Sequence, residues 1–359
     1  MAEVARRGLG PRGRRTSVRT KGPAKMDTNR TSSHDISRRA VLGAGAALGL
    51  AAMLRPRAAL AAPFLKRAER TRVLRFAHPS DTHVEPELRG AIGMRQAFEH
   101  MMGQKPELVI TGGDLPFDTG STPEGRSREL WTLFKTIVKD TIPASVPVHH
   151  TLGNHDVFGR DKKKSKATGS EPFFGKRWFM DNFEYTHTYQ SFEKAGWKFV
   201  ILDSINLLPD GSGDFRCKLG DEQMAWFKDE LERTPATTPI VVVSHAPIIS
   251  VANFFDRKEE EWKTDGPDLM VESSRMHVDC REIHKLFEKH PNVKLCLAGH
   301  LHQHDRCEYR GVTHICEGAV CGNKWKGPRH GTPEGYGIVD LYDDGTFEHQ
   351  YLTYGWKAE

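Results

Sequence analysis

Thr151-Leu152-Gly153-Asn154-His155-Asp156 sets an amide, an imidazole and a carboxylate on consecutive residues, directly after an apolar run. Side chains alternate across a strand and spread around a helix, so neither element would aim all three at one target. A tight loop leaving a strand can, and Gly153 is expected to supply the backbone freedom for it. Four other polar pieces are placed to meet this loop: Asp81-Thr82-His83, Gly113-Asp114, Ser244-His245 and Gly299-His300-Leu301-His302.

Working outward, residues 73–77, 108–110, 146–151, 240–243 and 293–298 read as buried strands that end at these pieces. Residues 86–102 show helical spacing with Leu88, Ile92, Ala97 and Met101 on one side, and residues 127–138 do so through Leu130, Leu133, Phe134 and Ile137. Strand, polar loop and helix in alternation point to βαβ units, which collect polar groups at the carboxyl ends of their strands. Residues 185–192 and 197–203 read as an antiparallel pair turning near Ala195-Gly196, and residues 306–317 as a hairpin with Arg310-Gly311 at its tip. Two further strands, 336–342 and 346–352, close the chain. Residues 248–280 show no period and form a candidate lid.

The chain of 359 residues has a formal charge of +5, which at first points to nucleic acid or a membrane surface. Residues 1–61 hold 13 Lys and Arg against 3 Asp and Glu, so the remainder carries 39 basic and 44 acidic residues, a net −5. Charge therefore gives no support to a stable nucleic-acid partner, and it weighs against a nuclease.

In the basic segment, Ser37-Arg38-Arg39-Ala40-Val41-Leu42 precedes a Gly- and Ala-rich apolar run to Leu54, followed by Ala59-Leu60-Ala61. Paired arginines, a short apolar stretch and a small-x-small site are the layout of an export signal. The run is shorter than the roughly 20 residues that span a bilayer; an uncleaved anchor is the other reading. The segment resembles a bacterial twin-arginine signal, with Gly43 in place of the usual lysine. That resemblance implies the twin-arginine export machinery as a partner, removal of about residues 26–61 and a periplasmic or extracellular destination; beyond it no internal repeat or linker is visible, so residues 62–359 read as a single domain. Met26 is a second candidate start. All six cysteines lie beyond the segment, in spacings that match no zinc ribbon; an oxidising destination would permit disulfides, and Cys296 reads as a plain buried thiol.

Taken together and in order, the five polar blocks resemble the calcineurin-like metallophosphoesterases over residues 73–302. The resemblance implies an α/β fold, a central β-sandwich of mixed sheets flanked by helices in four α/β/β/α layers. Carried over residue by residue, Asp81, His83 and His302 would bind one metal, Asn154, His245 and His300 a second, with Asp114 bridging both. Mixed imidazole and carboxylate donors suit Mn, Fe, Zn or Co. The implied activity is hydrolysis of a phosphate ester, mono- or diester, of a small molecule, with a metal-bridging hydroxide as nucleophile. His155 would donate a proton or stabilise the transferring group, and Asp156 would orient that imidazole and favour its charged form.

Phe117 stands where purple acid phosphatases carry a tyrosine ligand, and Asp118-Thr119-Gly120 lacks the arginine of the phosphoprotein phosphatases. The sequence is nearer the bacterial branch that includes cyclic-nucleotide phosphodiesterases. Residues 323–330 combine charge, an aromatic and chain-bending residues, so Trp325, Lys326 and Arg329 are candidate substrate contacts; exposed loop lysines are the other reading. A binding scaffold that keeps the fold without chemistry is the competing function, since a fold alone never fixes one. His245 alone could be a structural histidine, and Asp81 and Asp114 helix caps, but that account leaves His83, Asn154 and the His300/His302 pair without a role. His78, His149, His150 and His304 are read as supporting residues beside the blocks.

Overall fold

A computed structural model describes residues 69–255, 264–265 and 268–359. The export segment expected at the N-terminus, and residues 256–263 and 266–267 of the expected lid, lie outside the described residues.

Strand β1 (Arg72–His78), helix α1 (Gly90–Gly103), β2 (Leu108–Thr111), α2 (Glu124–Thr141) and β3 (Val148–His150) follow one another as the βαβ pattern requires. Two short helices, α3 (Lys162–Ser165) and α4 (Arg177–Phe183), lead to β4 (Gln190–Lys194) and β5 (Trp197–Leu202). A small ribbon of β6 (Ile205–Leu207) and β7 (Phe215–Cys217) precedes α5 (Asp221–Arg233) and β8 (Ile240–Ser244). The second half runs through the two-residue strands β9 (Thr264–Asp265) and β10 (Asp268–Leu269) to α6 (Cys280–Lys289) and β11 (Val293–Ala298). It ends with β12 (Asp305–Tyr309), β13 (Val312–Cys316), β14 (Gly335–Tyr342) and β15 (Phe347–Thr353).

Two mixed sheets result, one in the order β15-β14-β1-β2-β3, the other β12-β13-β11-β8-β5-β4. Alternation along the strands sorts their side chains between two surfaces. Leu74 and Phe76 of β1 meet Phe199, Val241, Val243 and Leu297 between the sheets, where the Phe76 and Phe199 rings stand edge to face at 5.5 Å. Ala77 and Val109 face outward under Phe98, Met101, Trp131 and Phe134 of α1 and α2. Val200 and Val242 face the other way, under Phe227, Ile283 and Phe287 of α5 and α6. The architecture is the expected four layers, helix, sheet, sheet, helix. Among the described residues, no helix is long and apolar enough to cross a membrane.

Both hairpins turn where expected, with positive φ at Ala195-Gly196 and at Arg310-Gly311. Helix α1 departs from its expected face. Ala97 and Met101 are buried, but Leu88 and Ile92 are half exposed. Ile92 and Ala97 are five positions apart, which at about 100° per residue turns the two pairs well away from each other. Gly90, Gly93 and Met94 take the inner side instead, because the Trp325 indole lies on the two glycines: a β-carbon on Gly93 would sit 2.3 Å from that ring.

Candidate metal centre and phosphoester site

The parallel strands of both sheets end on one side of the molecule, and their loops are stitched to each other. Asp81 and His83 donate backbone N–H groups to the carbonyls of Gly113 and Asp114, both at 3.0 Å. The β11 loop joins through the His300 N–H, which donates to Asp81 Oδ2 at 2.9 Å. Asp156 ties the β2 and β3 loops together: its carboxylate accepts from the N–H groups of Gly153, Asp114 and Leu115 at 2.7, 3.0 and 2.8 Å. Gly153 has φ −103°, which any residue adopts, so the expected conformational freedom is not why glycine stands there. A β-carbon on it would lie 2.2 Å from the Asp114 backbone nitrogen and carboxylate, so close approach is the reason.

Asp81, His83, Asp114, His300 and His302 all have positive φ, a region that side chains usually avoid. Strain gathered on five residues that face one another is characteristic of functional loops. The histidines are also aimed. One ring nitrogen of each points at a backbone carbonyl and must donate to it: His83 to Phe117 at 2.9 Å, His245 to Gly112 at 2.7 Å, His300 to Ser274 at 2.8 Å and His302 to Gly322 at 2.6 Å. Metal-binding histidines are commonly oriented in this way, with the opposite nitrogen left as the ligand.

Those opposite nitrogens converge. His83 Nε2 and His245 Nε2 lie 3.5 and 3.3 Å from Asp114 Oδ2. His302 Nε2 is 3.2 Å from Asp81 Oδ1, a buried oxygen with no hydrogen-bond partner. His245 Nε2 is also 3.2 Å from Asn154 Oδ1 and 3.1 Å from His300 Nδ1. The structure thus brings together all seven residues expected to bind metal, with Asp114 between the two groups. Burial disfavours charge on these side chains, but the carboxylates outweigh it at His245, raised to about 9 chiefly by Asp114, and at His302, raised by Cys321 and Asp81. Burial and the charge on His245 push His300 down to about 3; burial does the same to His83, over the opposing pull of Asp114. In the absence of cations, protons on His245 and His302 balance the two carboxylates, so the donor set fits a pair of cations that would replace those protons.

His155 lines a cleft of about 350 Å³ over this cluster, together with Arg275, Lys324 and Arg329. Its Nδ1 lies 3.2 Å from Asp118 Oδ1. Burial would raise the Asp118 carboxyl, yet the adjacent His155 imidazole holds it down near 2. Asp118, not Asp156, therefore orients the His155 imidazole. Asp156 is fully buried beneath the loop and committed to backbone N–H groups; burial and the neighbouring Asp114 push its carboxyl well above the ordinary range. The sequence hides this role because an aspartate two residues before a glycine, in the loop ahead of α2, reads as a turn former, and it is one: it also accepts from the Gly120 and Ser121 N–H groups.

The substrate loop is partly corrected. Trp325 is 1 % exposed; its indole stacks on α1, and its Nε1 donates to the His83 carbonyl at 2.9 Å, so it cannot touch a substrate. Lys326 is exposed but does not line the cleft, whereas Arg329 does, and so does Lys324, which sequence alone did not single out. The candidate lid contributes the Ser274 carbonyl behind His300 and the Arg275 side chain at the cleft. His149 and His150 stack on Phe192 and Phe183 and are structural. All six cysteines are free thiols.

Residues 74–304 match the calcineurin-like phosphoesterase family. The chain belongs to that family. It is 24% identical over 285 residues to a probable cyclic nucleotide phosphodiesterase of Synechococcus sp., covering 77% of this chain and 91% of that protein. It is 22% identical over 165 residues to a 3',5'-cyclic-nucleotide phosphodiesterase of Nostoc sp., covering 44% of this chain and 53% of that one. Among solved structures, a dimetal phosphatase from Danio rerio shares the fold at a TM-score of 0.50 and 16% identity, over 79% of this chain and all of that one. Purple acid phosphatase PPD1 from yellow lupin does so at 0.50 and 14%, over 80% of this chain and 52% of that one. The protein is a phosphoric ester hydrolase of a family that typically binds a dinuclear metal site.

Proposed function

We propose that this phosphoesterase acts on small-molecule phosphodiesters, with cyclic nucleotides as the substrate class to examine first. The observation that carries this reading is the convergence of three aimed imidazole nitrogens, of His83, His245 and His302, on Asp81 Oδ1, Asp114 Oδ2 and Asn154 Oδ1, with His300 Nδ1 3.1 Å from His245 Nε2, beneath an open cationic cleft. Asp81, His83 and His302 would hold one cation, Asn154, His245 and His300 the other, and Asp114 both. When bound, two such cations supply neutralisation of phosphoryl oxygens and an acidified water near neutral pH.

The chain's own groups do the rest. Lys324, Arg275 and Arg329 offer positive charge to the substrate's non-reacting oxygens. With Asp118 beside its Nδ1, His155 lines the cleft and hands a proton to the leaving oxygen. The diester reading draws on the Synechococcus and Nostoc relatives. A hydrolysis screen of protein loaded with Mn, Fe, Zn or Co, using bis-para-nitrophenyl phosphate, its monoester and cyclic nucleotides, tests it. Turnover confined to the monoester would overturn the diester preference.

Export by the twin-arginine route is the second part of the proposal, and it rests on Arg38-Arg39 and Ala59-Leu60-Ala61. N-terminal sequencing of secreted material should begin near residue 62; an intact N-terminal segment on that material would sink it.

A further inference from the structure

Away from the metal centre, the outer face of the second sheet collects a set of donor side chains with no part in phosphate chemistry. Cys307 of β12 is in register with His314 of β13, and His314 with Cys296 of β11. Residues directly opposed on neighbouring strands show their side chains on the same face. That face is the one under α6: Val312 and Cys296 pack against Ile283 and Phe287, whereas Ile315 packs between the sheets. From above, α6 brings Cys280 and His284, one turn apart on its inner side. The His284 and His314 rings lie 5.0 Å apart. Three of the six cysteines and two histidines therefore meet at one seam between a helix and a sheet edge.

Both imidazoles are buried, at 5 % and 1 % exposure, and none of their four ring nitrogens has a hydrogen-bond partner. Buried polar groups almost always find partners, so two adjacent histidines with none call for a reason. Burial, with the neighbouring His284, drives His314 down to about 3, and burial lowers His284 as well, so both are neutral with lone pairs to offer. Burial raises the three thiols, which keep their protons until something stronger displaces them. Neutral imidazole and sulfur form the donor set of a thiophilic ion, not of magnesium or calcium. A cleft of about 470 Å³ opens onto Cys280 and His284 and gives an ion its way in. Arg281, Lys285 and Arg310 stand around that cleft. Glu288 lines the cleft too but is paired with Arg310, so thiolate ligands would supply the remaining negative charge that a dication among these cations needs.

We propose that the seam between α6 and the β11–β13–β12 edge is a second, separate metal site. It holds a thiophilic ion, Zn²⁺ or Cu⁺, through His284, His314 and Cys307, with Cys280 or Cys296 completing the set. Among the described residues, the donor groups already gathered within 4.8 Å of one another belong to the phosphoester centre and its neighbour Cys321, so this seam closes around its ion by side-chain rotation. Cys307 and Cys280 are only partly buried. An ion here would clamp α6 to the sheet edge, directly before the strand whose following loop carries His300 and His302.

The test titrates Cd²⁺, as a spectroscopic stand-in, into full-length protein whose phosphoester centre has first been filled with Mn²⁺. The expected result is a thiolate-to-cadmium charge-transfer band that saturates at one equivalent per chain. That band should vanish in Cys307→Ser and in His314→Asn, with bound manganese unchanged, and should survive in Cys321→Ser, whose thiol adjoins the phosphoester centre. No band in the wild type, a band that persists in Cys307→Ser, or one lost only in Cys321→Ser would each overturn the proposal. Should His314→Asn fail to fold, alkylation decides instead: Zn²⁺ must protect Cys307 from iodoacetamide in the folded wild type, and equal labelling with and without zinc refutes the site. Because the readout is spectroscopic, a failed phosphodiester reading leaves this test intact.

Discussion

Asp118 and Asp156 divide work that adjacency along the chain would give to one of them. Asp118 touches the His155 ring, whereas Asp156 holds three backbone N–H groups of the loops that carry Asp114 and Asn154. Asp118→Asn should lower kcat by about 10–100-fold, less than the roughly 10²–10⁴-fold worth of the proton-transfer group it orients, with bound metal and KM little changed. His155→Ala should lower it by roughly 10²–10⁴-fold and abolish any further effect of Asp118→Asn. A second loss of the same size in the double variant would separate the two residues. Asp156→Ala should instead act on stability, costing about 2–4 kcal/mol through three buried donors left without an acceptor. Its unfolding midpoint in urea decides; a wild-type midpoint with reduced turnover would return Asp156 to the chemistry.

Glu317 is a further residue with no role visible in the sequence. It is fully buried, accepts from His349 at 2.6 Å, and has His304 Nδ1 at 3.6 Å from its second oxygen. Burial alone would raise its carboxyl, but the histidines hold it near 2. A depressed carboxyl contributes stability that is present above its ordinary value near 4.5 and lost as the pH falls toward 2. Glu317→Gln should therefore flatten the fall in stability between pH 4.5 and 2 relative to wild type. Parallel urea-midpoint curves across that window would show that Glu317 does not bear this linkage.

At the scale of elements, α1 and the loop after β13 are fitted to each other through Trp325. The indole occupies the space left by Gly90 and Gly93 and stands edge to face with Trp356, while its N–H fixes the peptide of His83. Trp325→Ala should cost about 3–5 kcal/mol, as large aromatic deletions in cores do. Gly93→Ala should cost about 1–3 kcal/mol by overpacking against the same ring. Both are read from thermal unfolding. If Trp325→Ala raised KM without lowering the melting temperature, the packing account would be wrong.

For the whole molecule, metal binding and folding are coupled through His245 and His302. A histidine raised by folding contributes stability in full below its ordinary value of 6.5, and that contribution is lost as the pH rises through the folded value, about 9 for His245. The chelated protein should thus weaken from pH 6.5 to 9, while metal affinity climbs over the same range as ions replace protons. Ions bound only by the folded state add roughly 2.7 kcal/mol at a hundred times Kd. Melting curves with and without chelator should diverge as the pH rises; a constant gap would contradict the linkage.

Short apolar runs, helical spacing and the turn residues were enough to give the α/β class and the two hairpins, because strand burial is written in local residue type, whereas the seven donor residues came from the resemblance that the five polar blocks carry. What lay across space was hidden. Trp325 beside two lysines has the composition of a binding loop, and only its contact with two glycines more than 230 positions away shows it to be core. Asp156 neighbours His155 in the chain, yet a short helical turn points the carboxylate under the loop and leaves Asp118 to meet the ring. Residue type alone determined which groups could bind a cation; which second nitrogen is tethered, which carboxylate orients the imidazole and which charges reach the cleft depended on tertiary packing, since each requires the loops of two separate sheets to close over the same few ångströms.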